Sequence, residues 1–225
     1  MLLCYWSFII ERVDEMIRIT EVSVFNLENA MRGARNPMNS WHRSDSYVNN
    51  EGQYILGEND LELAAKLCRA GSDHRKFMRQ IIVSVDILAP LYWWKEFDTY
   101  KVGTTANSTS TMHKIHVKPF DIDDFSHDQL DDSGKEALLG ILKTLENARE
   151  RYIASKDKCE WYKIIQLLPS GYNQLRTCTM SYENLLNMYS ARNAHKLHEW
   201  REFCDWITSL PYADRLICFT SGLSK

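Results

Sequence analysis

Three stretches of this chain bring together side chains able to do chemistry. The first, residues 103–112 (GTTANSTSTM), is a run of small polar residues. Its backbone amides and the hydroxyls of Thr104, Thr105, Ser108, Thr109 and Ser110 suit hydrogen bonding to a phosphate or a base. It has no core-forming face, so it reads as a loop, either ligand-contacting or a plain surface connection. The second is His113, His116 and His127 beside Asp121, Asp123 and Asp124. A metal needs three or four converging ligands; the alternative is a set of solvent-facing polar residues. The third is residues 187–200 (NMYSARNAHKLHEW). Asn187 and Arg192 are five apart and do not share a face of one continuous helix. A helix ending near Ala191 places Arg192, His195 and His198 at a junction, where the planar guanidinium fork suits a carbonyl or phosphate. The alternative is a surface turn with basic side chains. Gly-x-Ser-x-Gly, Walker, Gly-x-Gly-x-x-Gly and His-Glu-x-x-His patterns are all absent, which leaves hydrolase, P-loop and Rossmann readings without support.

Elements must position these residues. Residues 17–25 and 79–88 alternate and are rich in β-branched side chains, so each reads as a strand. Residues 26–35 read as a short helix, and the polar stretch 36–57 as a loop. Asn59 or Asp60 is placed to cap a helix over 61–69 that Gly71 closes. Ala89-Pro90 opens another helix, continued to Tyr100, because proline suits a first helical turn. Residues 120–132 are rich in aspartate and belong in solvent. Leu138, Leu139, Leu142, Leu145 and Ala148 mark the clearest helix, over 133–155. Helices follow over 159–168, 183–191 and 199–210, with a weakly alternating stretch at 175–180. Strands and helices without regular alternation point to one α+β domain rather than a doubly wound sheet.

Composition narrows the class. The chain has 225 residues, 44% of them hydrophobic, enough for one sizeable core. No apolar run reaches the roughly 18–20 residues that cross a bilayer, so no membrane partner is expected. Net charge is −3, which argues against a nucleic-acid binder. The six cysteines form no Cys-x-x-Cys pair and read as reduced thiols of a cytoplasmic protein. Residues 1–10 are apolar but lack a basic lead and a small-residue cleavage site. We expect Met16 as the native start, residues 1–15 as an upstream extension and 16–225 as one domain; an intact Met1 found by mass spectrometry from the natural host overturns this.

At four of these segments the chain resembles the flavin-dependent thymidylate synthases, also called thymidylate synthase-complementing proteins. FNLENAMRGAR looks like the family's early helix, which ends in an Ala-x-Arg-Ala-Ala-Arg pattern. LCRAGSDHRKFMRQIIVSVDILAPLYWW is similar to the family's strand and Ala-Pro helix. LLPSGYNQLRTCTMSYENLLNMYSAR and HEWREFCDWI resemble its Leu-Pro segment and last helices. The family motif R-H-R-x-x-S-x-N-E-x-S-x-R-Y falls here on altered residues. Counted without gaps from Ala89-Pro90, Thr99-Tyr100-Lys101 stand at R-H-R. With one inserted residue, Tyr100-Lys101-Val102 stand there, Thr105, Asn107 and Ser110 match the Ser, Asn and second Ser, and Ser108, Met112 and His113 replace the Glu, Arg and Tyr. Either way the arginines are gone, with Lys101 and Lys114 as partial substitutes.

The resemblance implies an α+β fold with a central mixed or antiparallel sheet flanked by helices. It implies FAD as cofactor, NADPH as reductant, methylenetetrahydrofolate as methylene donor, dUMP or a related nucleotide as substrate, and a homotetramer with sites between subunits. It assigns Arg192, Ser110 and Asn107 to the substrate, and Asn187, His195, His198 and Lys101 to the cofactor. A non-catalytic homologue that keeps the fold for nucleotide binding or a structural role is the second reading. The third is an unrelated α+β binding module.

Overall fold

The computed structural model describes residues 6–8 and 16–219, the first three as backbone only. In chain order the strands are β1 (Trp6–Phe8), β2 (Arg18–Phe25), β3 (Tyr47–Val48), β4 (Tyr54–Ile55), β5 (Ile82–Pro90), β6 (Thr105–Ser108) and β7 (Asn173–Ser181). The helices are α1 (Leu27–Ala34), α2 (Glu58–Arg69), α3 (Leu91–Phe97), α4 (Asp132–Ser155), α5 (Lys158–Leu167), α6 (Tyr182–Arg192), α7 (His198–Thr208) and α8 (Ala213–Leu216). Five strands form one antiparallel sheet in the order β1-β2-β5-β7-β6, and β3 and β4 make a separate hairpin. The expected α+β architecture with an antiparallel central sheet is the observed one. Of the segment 1–15, residues 6–8 are described, and they pair with β2.

Alternation along the strands sorts side chains between two faces. Val83, Val85, Ile87 and Ala89 of β5 are buried, with Val22 and Val24 of β2 and Cys178 and Met180 of β7. Against this face pack Trp93, Trp94 and Phe97 of α3, Leu185 and Met188 of α6, and Trp200 and Phe203 of α7. The other face carries small polar residues, and directly opposed residues project to the same side. Thr20 pairs with Asp86, Asp86 with Thr177 and Thr177 with Asn107. The Thr177 hydroxyl donates to Asp86 Oδ1 at 2.6 Å.

The leucine pattern of α4 builds a second core. Leu138, Leu142, Leu145 and Ala148 meet Ile164 of α5, with Ile115 and Phe125 from the preceding loop. Asp131 caps α4 by accepting from the Gly134 amide at 2.8 Å, and Asp157 caps α5.

Three local expectations change. Pro90 ends β5 in an extended conformation and α3 begins at Leu91. The cap of α2 is Gly57; the expected Asp60 is instead turned inward, where Arg35 Nε, Ser44 Oγ and Ser46 Oγ all bond it at 2.5 Å. Its first-turn amides are met by Asp45, which accepts from Asn59 and Asp60. Finally, residues 105–108 form the edge strand β6, within the stretch expected to be a loop. The backbone groups along β7 need partners, and a polar segment satisfies them as well as an apolar one.

Candidate functional site

The junction between α6 and α7 gathers a set of polar contacts around a half-buried arginine, Arg192. α6 starts from a capping box in which Ser181 and Asn184 bond each other's backbone, and it runs to Arg192. Three residues on, His195 lies in the connection, and α7 starts at His198. Arg192 Nε donates to the Tyr100 hydroxyl at 2.9 Å and Nη1 to Glu96 Oε2 at 2.6 Å. Trp200 Nε1 donates to the same Glu96 oxygen at 3.1 Å, and His195 Nε2 lies 3.5 Å from it. The guanidinium stands over the Trp200 ring at 4.9 Å and the Tyr100 ring at 5.7 Å, a partly desolvated cation–π arrangement. Neither partner of the ion pair is fully buried: the Arg192 side chain is 20% exposed and that of Glu96 35%.

A shallow pocket of about 350 Å³ lies beyond Tyr100. Phe97, Tyr100, Lys101, Thr104 and Arg176 are among its lining residues. Lys101 is exposed. Arg176 is paired with Asp98 at 2.7 Å and stacked 4.2 Å above Trp94. The Thr104 hydroxyl is buried without a hydrogen-bond partner among the described residues. Asn184 Nδ2 holds this loop to the start of α6 by donating to the Val102 carbonyl at 2.7 Å.

The remaining expected residues lie elsewhere. Asn107 is exposed in β6 opposite Thr177, on the polar face of the sheet. Ser110 follows β6, its hydroxyl accepting from the His113 amide at 2.8 Å. Asn187 is exposed midway along α6. His198 turns from Arg192 toward Met16 and Glu202, with Nδ1 3.3 Å from Glu202 Oε1. So one chain brings Arg192 and His195 together and keeps Lys101 nearby, while Asn107 is on the opposite face of the sheet. The histidines of the second stretch do not converge: His127 Nδ1 contacts the Phe125 carbonyl, and His116 packs edge-on against Tyr152. No group of three or more His, Cys, Asp or Glu that could hold a metal occurs among the described residues.

Sequence reasoning missed Glu96, the common acceptor of this cluster. Its signal was a carboxylate on a helix whose neighbours Trp93, Trp94 and Phe97 are core residues.

The fold as a whole has solved counterparts. Flavin-dependent thymidylate synthase ThyX from Helicobacter pylori, complexed with FAD and dUMP, superposes with a TM-score of 0.64, covering 90% of this chain and 98% of that one at 15% identity. A second structure of Helicobacter pylori ThyX, also with FAD and dUMP, gives 0.62 over 89% and 96%, again at 15% identity. The chain has the ThyX fold. No protein-family model and no curated protein sequence matches it, so the likeness is one of fold.

Proposed function

We propose that this protein is a divergent ThyX-like flavoprotein that binds dUMP or a related nucleotide. The observation that carries this reading is Arg192. It is displayed at the end of α6, backed by Trp200 and Tyr100, within a chain that spans 98% of a ThyX bound to dUMP. A guanidinium backed by aromatic rings can offer its planar fork of donors to an acceptor such as a pyrimidine carbonyl.

The residues present fit a flavin nucleotide in kind. Lys101 supplies a cation, the unpartnered Thr104 hydroxyl a free hydrogen-bonding group, and Tyr100 an aromatic wall. These would hold the cofactor, with Asn187, His195 and His198 as further contacts. When bound, FAD supplies hydride chemistry, NADPH restores it, and a methylene group from methylenetetrahydrofolate passes to dUMP. The chain's own part is to bind and orient. Arg192 fixes the pyrimidine, and Asn107 and Ser110 complete the nucleotide contacts from a second copy in a homotetramer. The opposite placement of Asn107 and Arg192 about the sheet supports a site shared between copies. The free thiols Cys68, Cys159, Cys178, Cys204 and Cys218 suit a reducing cytoplasm, and no helix among the described residues is long and apolar enough to cross a membrane.

A non-catalytic homologue is the second reading. It is favoured by the pairing of Arg192 with Glu96 and of Arg176 with Asp98, which leaves few free cations for phosphate. The purified protein decides between them. We expect a flavin absorption band in the visible spectrum, or FAD uptake by the apoprotein, and dUMP binding by calorimetry that is lost in Arg192→Ala. A colourless protein that takes up neither FAD nor dUMP overturns the first reading.

A further inference from the structure

We infer that Glu96 is an internal ligand of Arg192, and that a nucleotide entering the site must displace it. The identity of the displacing ligand rests on the nucleotide reading above; the latch itself does not. Two donors hydrogen-bond one carboxylate oxygen, Arg192 Nη1 at 2.6 Å and Trp200 Nε1 at 3.1 Å, and His195 Nε2 lies 3.5 Å from it. With Nε given to Tyr100, two of the three guanidinium nitrogens are engaged, and Nη2 has no partner among the described residues. The pair joins residues 96 apart in the chain, from α3 and α6, so the core sets its geometry rather than local sequence. It is a charge-assisted contact in a partly desolvated setting, stronger than a loose surface pair. A ligand carbonyl or phosphate competes for the same donors, and a phosphate brought to Arg192 meets the Glu96 charge. Exposure of 35% leaves the carboxylate free to swing toward solvent once a better acceptor arrives. Glu96 therefore acts as a specificity-determining residue: it favours a ligand able to take over the acceptor position, and it lowers affinity for any anion that cannot.

Two readouts test this on the intact protein, with Glu96→Gln as the variant. Asp205→Asn is the control, since Asp205 is an exposed α7 residue that removes one charge without touching Arg192. Phenylglyoxal modification of Arg192, followed by mass spectrometry, needs no ligand. We expect it to run about fivefold faster in Glu96→Gln and unchanged in Asp205→Asn. Calorimetry with dUMP is expected to show about fivefold tighter binding to Glu96→Gln than to wild type, the gain vanishing when Arg192→Ala is added. An unchanged labelling rate overturns the latch. Faster labelling with equal dUMP affinity in wild type and Glu96→Gln overturns the displacement. Faster labelling with no dUMP bound by either protein upholds the latch and defeats the nucleotide reading instead.

Discussion

Asp60 shows what a single buried carboxylate asks of its surroundings. It has no exposed surface, and Arg35, itself 5% exposed, bonds one oxygen while Ser44 and Ser46 bond the other. The two other guanidinium nitrogens of Arg35 each donate once, to the Ser40 and Arg43 carbonyls, so α1, the 40–46 stretch and α2 are tied at one point. Burial pushes the Asp60 pKa up, but the Ser44 and Ser46 hydroxyls and the Arg35 guanidinium outweigh it and hold the carboxyl below its ordinary value. A depressed folded-state pKa gives stability that is fully present above the unfolded value and is lost as pH falls through the folded one. Denaturant midpoints are therefore expected to hold from neutral pH down to about pH 4 and to fall below it. Asp60→Ala leaves Arg35 buried and unpaired and is expected to cost about 3–5 kcal/mol at pH 7. In that variant the Asp60 part of the acid dependence disappears. A loss below 1 kcal/mol at pH 7, about the worth of a surface pair, contradicts this account.

At the scale of elements, the connection from α3 to β6 decides how the candidate site is presented. Gly103 has φ +76°, and a Cβ there would stand 3.1 Å from Asn184 Oδ1. Asn184 is the residue that both closes the α6 capping box and holds the turn by donating to the Val102 carbonyl. Gly103→Ala thus meets two penalties, the left-handed backbone and a displaced Asn184. We expect a loss of about 1–2 kcal/mol in urea unfolding with the slope unchanged. A neutral substitution shows that this loop is not held against α6. The same connection marks where sequence reading succeeds and stops. Its small polar residues announced a segment without a core face. That four of them become a strand depends on the free edge of β7, about 70 residues later, which no local pattern reveals.

For the whole molecule, the division into two cores matters most. The sheet with α1, α2, α3, α6 and α7 buries one cluster, and α4 and α5 bury another with the loop before them. Leu145 is fully buried in the second. Leu145→Ala is expected to cost about 2–5 kcal/mol through lost burial and a residual cavity. The loss belongs to α4 and α5: hydrogen exchange should show their amides deprotected while those of β5 and β7 keep native protection. Equal deprotection of the sheet means that the two clusters unfold as one.

The sequence alone determined the elements with strong periodicity. Leucines at helical spacing marked α4, the β-branched alternation marked β2 and β5, and Arg192 with His195 stood out at the α6–α7 junction. These features are local, since a helix or strand must bury its own stripe and so writes that stripe into consecutive residues. Tertiary structure decided the rest. It drew Glu96 onto Arg192 and set Asn107 on the far side of the sheet. It turned Asp60 from an expected helix cap into a buried anchor, and it recruited a polar segment as β6. Each of these depends on residues far apart in the chain; a buried charge such as Asp60, or a backbone edge such as that of β7, must find a partner wherever the fold brings one near.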